Sequence, residues 1–169
     1  EEIGRICKEA GVFFHTDAAQ AFGKIPLNVQ KCHIDLLSIS AHKIYGPKGV
    51  GALYVRRRPR VGIEPLFSGG GQERNLRSGT LATPLIVGLG KATEIAMEEM
   101  VVESERLWAL HKLLVDTLQK AHSFVALNGH ATQRIPGNIS LRFSGIDGDA
   151  LLKKIKGLAV SSGSACSSA

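Results

Sequence analysis

An apolar run that ends in a lysine constrains the fold of this chain more than any other feature. Residues 34–40 predict a buried β-strand, which runs into Ser40-Ala41-His42-Lys43 before a turn with glycine and proline at residues 46–49. In open α/β sheets, ligands bind beyond the carboxyl ends of the strands. The sequence therefore predicts an α/β fold with Lys43 at a ligand-binding edge, although a surface lysine is the ordinary alternative.

A second predicted strand ends in an acid. Residues 12–14 begin this buried strand, which ends at His15-Thr16-Asp17. If the two strands are parallel neighbours, Asp17 and Lys43 lie at the same edge. That pair suits pyridoxal 5'-phosphate (PLP), whose pyridine nitrogen needs a carboxylate and whose aldehyde condenses with an amine. Gln20 could then donate a hydrogen bond to the ring's phenolate oxygen, whereas the alternative role for Asp17 is a turn cap.

The three cysteines, Cys7, Cys32 and Cys166, are widely spaced and show no CxxC or metal-binding spacing. This scatter argues against a disulfide framework and for a reducing compartment. Cys166 lies in a small, polar stretch at residues 161–168, which predicts a mobile loop. A thiolate on such a loop can reach a substrate and carry a product away, and a structural cysteine in a turn is the alternative.

Composition excludes several classes of protein. The chain is 44% hydrophobic, which excludes a disordered chain, and no apolar run approaches the roughly 20 residues that a membrane span needs. The net charge is +6, and residues 56–60 form the densest basic run. Without base-stacking aromatics, this run predicts an exposed turn or a docking surface for an acidic protein, not a nucleic-acid site. The chain begins at Glu1 without methionine, so we expect an internal piece of a longer protein.

The remaining pattern predicts an order of elements and two domains. Residues 1–100 are expected to be the later part of a large domain, and residues 101–169 a linking helix and the start of a small α+β domain. The segment Asp147-Gly148-Asp149 is expected to precede a capped helix at residues 150–155. The other predicted elements are helices at residues 1–10, 84–100 and 102–121, strands at residues 49–55, 138–143 and 158–161, and an irregular loop at residues 61–80.

The histidines outside the lysine motif show no partner by spacing. His15 is expected to face the opposite side of its strand from Asp17 and to pack there. The others, His33, His111, His122 and His130, are expected at the surface or at an interface.

Five motifs together resemble the cysteine desulfurases of the NifS/IscS group, a class-V aminotransferase family of iron–sulfur cluster assembly. The resemblance covers essentially the whole chain, and the combination is specific although each motif alone is not. The motifs lie at residues 15–20, 40–49, 69–74, 77–80 and 161–166.

The resemblance implies a PLP fold of type I, like that of aspartate aminotransferase, and a homodimer. It implies that Lys43 forms the Schiff base, that Asp17 binds the pyridine nitrogen and that Gln20 binds the ring oxygen. It further implies phosphate ligands at Ser40, His42 and Thr80, the last reaching the partner subunit's cofactor. Cys166 would receive sulfur, and through its persulfide could act as an iron–sulfur ligand.

The implied reaction removes sulfur from L-cysteine and gives L-alanine and a persulfide on Cys166. The sulfur would pass to an iron–sulfur scaffold protein or to acceptors of tRNA thiolation, in a bacterial cytosol or a mitochondrial matrix, without direct nucleic-acid or membrane binding. The alternatives are another fold-type-I PLP enzyme, such as a selenocysteine lyase or an aminotransferase, or an inactive fragment that only binds partners. Since family residues expected on both flanks are missing, the full-length parent is expected to be the enzyme and this piece alone to be inactive.

Overall fold

The structure, a computed structural model, describes residues 1–163. The chain divides into two compact units, residues 1–104 and residues 105 onward. The regular elements are α1 (Glu2–Glu9), β1 (His15–Asp17), β2 (Leu36–Ser40), β3 (Gly51–Val55), α2 (Thr83–Ala121), β4 (Val125–Leu127), β5 (Leu141–Phe143) and α3 (Gly148–Lys154). Within the described range, no helix is both long and apolar enough to cross a membrane.

The first unit contains a three-stranded sheet in the order β1-β2-β3. β1 pairs with β2 in parallel, and β3 returns antiparallel on the other side of β2. This confirms the prediction that residues 49–55 form a neighbour of the strand that leads to Lys43. Ala18, Ile34 and Leu37 form a buried cluster on which Phe14 and Phe22 pack. The sheet is therefore anchored by the same segments that lead into the predicted site.

An ion pair joins the three strands at the end of the sheet opposite to Lys43. The Asp35 side chain is only 6% exposed, and its Oδ1 lies 2.9 Å from Arg56 Nη1. Its Oδ2 accepts a hydrogen bond from the backbone N–H of Phe14 at 2.7 Å. Since these residues adjoin β2, β3 and β1, respectively, one carboxylate ties together the starts of two strands and the end of the third.

The strand β1 is shorter than predicted, and its first part is not buried. Val12 is 55% exposed and Phe13 is 64% exposed. In residues 12–14, only the carbonyl of Phe14 takes part in the pairing with the chain at β2: it accepts hydrogen bonds from the N–H groups of Asp35 and Leu36. The prediction of a buried strand from residue 12 was wrong because, among the described residues, no strand pairs with residues 12–13 and nothing covers them.

The helix α2 runs without interruption through the place where two helices were predicted. The division near residue 101 was wrong because residues 91–121 contain neither glycine nor proline, so nothing in the backbone ends the helix. Near its start the helix lies against the turn after Lys43, since a Cβ on Gly88 would lie 2.9 Å from Pro47 Cγ. Glycine at this position therefore lets the helix approach the turn closely.

In the second unit, β4 and β5 form an antiparallel pair, and α3 follows them. The prediction of a capped helix is confirmed, and the structure shows that Asp147 is the cap: its Oδ1 accepts from the backbone N–H of Ala150 at 2.8 Å. The short strand β4 was not predicted, and residues 158–161 do not form the predicted strand.

His111 was wrongly placed at a surface or interface: it is 5% exposed, and its Nδ1 lies 3.2 Å from the carbonyl oxygen of Pro136.

Candidate functional site

The two predicted site strands end at the same edge of the sheet. β1 and β2 are parallel, and Asp17, the last residue of β1, is in register with Ser38. β2 ends two residues later at Ser40, and Lys43 lies in the 3₁₀ turn Ala41–Ile44 that follows directly. The predicted placement of Asp17 and Lys43 at one edge is confirmed, whereas their roles remain predictions.

The turn that carries Lys43 is fixed by its backbone. The carbonyl of Ala41 accepts hydrogen bonds from the N–H groups of both Tyr45 and Gly46. Ala41 is completely buried, and a Cβ on Gly46 would lie only 3.0 Å from its carbonyl oxygen. Lys43 itself is half-buried, and its amine forms no hydrogen bond or ion pair with any residue of the range 1–163. A rigid backbone therefore presents an amine that remains available.

Asp17 uses only one of its carboxylate oxygens within the chain. Oδ1 accepts from the backbone N–H of Ala19 at 2.9 Å, which closes a tight turn directly after β1. As far as the structure describes the chain, Oδ2 accepts no hydrogen bond. The turn-cap alternative is thus realised, and it leaves the second oxygen of an exposed carboxylate available to a ring nitrogen.

Ser40 and His42 are brought together by the same turn. Ser40 Oγ lies 2.9 Å from His42 Nδ1. If the imidazole holds its proton on Nδ1, it donates to Ser40 and leaves the serine hydroxyl to donate to an anion. The two residues can therefore act together toward a phosphate group, as the sequence analysis expects.

Gln20 lies in the helical turn that follows Asp17, and its side chain contacts a residue that the sequence analysis did not select. Lys24 Nζ donates to Gln20 Oε1 at 3.3 Å. Partial burial lowers the pKa of Lys24, and the positive charge of Lys43 lowers this pKa further. The signal that could have identified Lys24 is its spacing, because side chains four residues apart meet on a helical turn.

The expectation for His15 was wrong. Residues two apart on a strand point to the same face, and the exposure of His15 and Asp17, with Thr16 partly buried between them, agrees with this rule. His15 Nε2 lies 2.8 Å from Ser38 Oγ. His15 therefore links β1 to β2 on the face that carries Asp17, and does not pack on the other side.

The two remaining predicted site residues are Thr80 and Cys166. Thr80 is exposed, and no hydrogen bond joins it to another predicted site residue within residues 1–163. It follows Gly79, whose φ is +109° and whose N–H donates to Gln72 Oε1 at 3.1 Å. Cys166 lies outside the described residues.

The basic run borders a separate cavity. Arg57, Arg58 and Arg60 are exposed, as predicted for a basic turn, whereas Arg56 instead pairs with Asp35. A cavity of about 1170 Å³ lies beside this turn, and none of the predicted site residues lines it. Its basic lining residues are Lys8, Arg56, Arg57, Arg58 and Arg74. Docking of an acidic protein in this region stays a prediction.

The family model and similar named proteins agree with one another. The family model described as aminotransferase class-V matches residues 1–169. The chain is 58% identical over its whole length to a protein named cysteine desulfurase IscS from Rickettsia bellii, and 59% identical to the protein of the same name from Rickettsia rickettsii. In each comparison the chain spans 41% of the relative's length.

Solved structures agree with the sequence relatives. A NifS-like protein from Rickettsia africae superposes with a TM-score of 0.81 at 31% identity, over 90% of this chain and 41% of that protein. DndA from Streptomyces lividans superposes with a TM-score of 0.76 at 38% identity, over 90% of this chain and 43% of that protein. The mixed α/β fold is thus the PLP type I fold of these neighbours, as expected from the sequence.

Proposed function

Because the chain belongs to the aminotransferase class-V family, we propose that the protein containing it is a PLP-dependent cysteine desulfurase. The proposed reaction converts L-cysteine to L-alanine and leaves the sulfur as a persulfide on Cys166. Relatives named for this activity are 57–59% identical over the whole of this chain. The observation that carries the proposal is the parallel register of β1 and β2, which places the acid Asp17 and the amine Lys43 at one sheet edge.

The residues at this edge fit PLP in their chemistry. The available oxygen of Asp17 would hold the protonated pyridine nitrogen, and the unpaired amine of Lys43 would bind the aldehyde. The hydroxyl of Ser40, oriented by His42, would donate to the phosphate, and Gln20 would donate to the ring oxygen. Thr80 would bind the phosphate of the cofactor in a partner subunit.

The chain's own groups would carry the sulfur transfer. Bound PLP supplies an electron sink that stabilises negative charge on the substrate's Cα. The amine of Lys43 would move the proton at Cα. The Cys166 thiolate would attack the substrate sulfur, so that an S–S bond forms and the C–S bond breaks. The electron pair of that bond stays on the substrate carbon, which takes up a proton to become alanine.

The proposal extends to domains, partners and compartment. Residues 1–100 would belong to the large PLP-binding domain, and residues 101–169 to a linking helix and the small domain that carries the cysteine loop. The enzyme would act as a homodimer and pass sulfur to an iron–sulfur scaffold protein or to another acceptor, with Cys166 able to ligate iron through its persulfide. The named relatives are bacterial, which favours the cytosol over the mitochondrial matrix.

The decisive experiment compares Cys166→Ser with Cys7→Ser and Cys32→Ser in the full-length protein. The Cys166 variant is expected to lose sulfide and persulfide formation from L-cysteine while it still shows the absorption band of PLP bound to Lys43. The two control variants keep both properties. Retained desulfuration in Cys166→Ser would instead favour a selenocysteine lyase or another fold-type-I enzyme, and a full-length protein without any sulfide release would be a binding protein only.

A second measurement tests the isolated 169-residue chain. It is expected to show no stoichiometric PLP band, because the proposed cofactor pocket also needs residues outside this chain. A stoichiometric band that disappears in Lys43→Ala would contradict that expectation.

A further inference from the structure

The carboxamide of Gln20 has two chemically different ends. Nε2 carries two donors, and Oε1 is an acceptor. The proposed contact with the PLP ring oxygen requires the Nε2 end to face the cofactor. The two ends of an unrestrained glutamine exchange by rotation about its terminal bond, for which orientations half a turn apart are similar in energy.

Lys24 removes this ambiguity. Its ammonium group carries donors only, so the Gln20 atom that it contacts at 3.3 Å has to be the oxygen. The two residues are four apart in a turn closed by hydrogen bonds from Phe22 N to Ala18 O and from Ile25 N to Ala21 O. Both side chains therefore leave the turn on the same side, and the contact fixes which end of the amide remains free.

The turn that carries Lys24 lies against the residue next to Lys43. Gly23 has a φ of +71°, and a Cβ at this position would lie 2.8 Å from Ile44 Cγ2. Lys24 is half-buried, and the charge of Lys43 acts on it. Packing and electrostatics both place Lys24 at the proposed cofactor edge.

We propose that Lys24 is a positioning residue, which holds the oxygen of Gln20 so that the Nε2 donors are directed to the PLP ring oxygen. This inference rests on the proposed function, because it assumes that PLP binds at Lys43. It assigns to Lys24 no contact with the substrate and no proton transfer. Its whole effect passes through Gln20.

The test uses four variants of the full-length protein: Lys24→Met, Lys24→Arg, Gln20→Leu and the double variant Lys24→Met/Gln20→Leu. The readouts are the dissociation constant of PLP and the pH midpoint of the absorption change of bound PLP. A donor to the ring oxygen favours its deprotonated form. Lys24→Met should therefore move the midpoint upward by about half a pH unit, equivalent to about a threefold change in the equilibrium, and weaken PLP binding by a similar factor.

The double variant separates positioning from other roles. Lys24→Met should add nothing in the Gln20→Leu background, because the group that it orients is gone. Lys24→Arg should keep the wild-type midpoint, because a guanidinium also donates to Oε1. Lys48→Met, which removes an exposed lysine five residues after Lys43, is the control for loss of charge alone and should leave the midpoint unchanged.

Three results would overturn the inference: an unchanged midpoint in Lys24→Met, additive effects in the double variant, or an equal shift in Lys48→Met. Each of these results is compatible with PLP binding at Lys43. If the wild-type full-length protein instead binds no PLP at Lys43, the proposed function itself fails.

Discussion

The two ends of the three-stranded sheet use charged residues in opposite ways. At one end, Asp35 is buried: one of its oxygens lies 2.9 Å from Arg56 Nη1 in an ion pair, and the other accepts from the N–H of Phe14. At the other end, Asp17 keeps one oxygen free and Lys43 forms no ion pair among the described residues, although the strands that lead to them are neighbours. The same strands therefore carry one acid that serves the fold and one that remains available for a ligand.

This difference indicates how the sheet can tolerate an unpaired amine and carboxylate. An amine and a carboxylate that bind a cofactor cannot also form an ion pair with each other, because that ion pair would compete with the cofactor. The Asp35–Arg56 pair connects the strands at the opposite end of the sheet, so the edge that carries Asp17 and Lys43 does not have to hold them together. Variants at the two ends should accordingly separate activity from stability.

The largest expected effect is at the functional end. Lys43→Ala should reduce desulfuration of L-cysteine by roughly a thousandfold or more, because it removes the group that we propose binds the PLP aldehyde. Its free energy of unfolding without PLP should change by less than about 1 kcal/mol, since the side chain has no partner to lose. Turnover assays and urea denaturation of the apo-protein measure the two quantities. A large loss of stability would break the comparison.

At the opposite end, Asp35→Ala should lower the free energy of unfolding by about 3 kcal/mol, because it leaves the Arg56 charge and the Phe14 N–H without their partner. Urea denaturation of the full-length protein measures this value. Asp116→Ala is the control: it removes an exposed aspartate paired with Lys112 on α2 and should leave stability within experimental error. If both variants are equally stable, Asp35 does not hold the sheet.

A smaller effect is expected where the turn after β1 meets the turn of Lys43. Gly23→Ala should cost about 2 kcal/mol, because it combines a positive φ with a Cβ that would lie 2.8 Å from Ile44 Cγ2. Gly11→Ala tests the conformational part alone, since Gly11 has a φ of +68° and no atom within 4 Å of the added Cβ. The difference between the two variants in urea denaturation reports the packing. An equal loss of unfolding free energy in the two variants would show that the two turns do not pack closely against each other.

The smallest expected effect concerns the pH dependence of Lys24. Its pKa in the folded protein is lowered from the ordinary 10.5 by partial burial and by Lys43. Below that lowered pKa the folded chain carries the full cost of charging Lys24. As pH rises toward 10.5, the folded protein binds fewer protons than the unfolded chain, so stability increases. Wild type should therefore gain stability relative to Lys24→Met over this range in unfolding experiments, and a constant difference would contradict the pKa direction.

The sequence predicted the placement of Asp17 and Lys43 at one sheet edge better than it predicted the segments around that edge. The strand before Lys43 was recognisable because its apolar run is bounded by polar and glycine-rich residues. The capped helix α3 was recognisable because an aspartate just before a helix has a local backbone target. The contact between Gln20 and Lys24 was overlooked, although its spacing was visible. His15 was misplaced through an error of strand periodicity, and no structural information was needed to avoid it.

Other errors had physical causes outside the local pattern. Val12 and Phe13 are apolar enough for a buried strand, but burial depends on what covers them, which composition cannot show. The helix α2 continues through the predicted division near residue 101, because residues 91–121 contain neither glycine nor proline. His111 is buried because Pro136, far away in sequence, supplies its hydrogen-bond acceptor.

The double hydrogen bond to the Ala41 carbonyl has a kinetic consequence for the amine that follows it. If a lysine on a fixed backbone released an aldehyde, its amine would remain within the length of the lysine side chain from that aldehyde. Recapture is then an intramolecular reaction, and its effective concentration is on the order of millimolar or higher. In the proposed enzyme, the amine of Lys43 would therefore remain close to the group that it holds, without a search through solution.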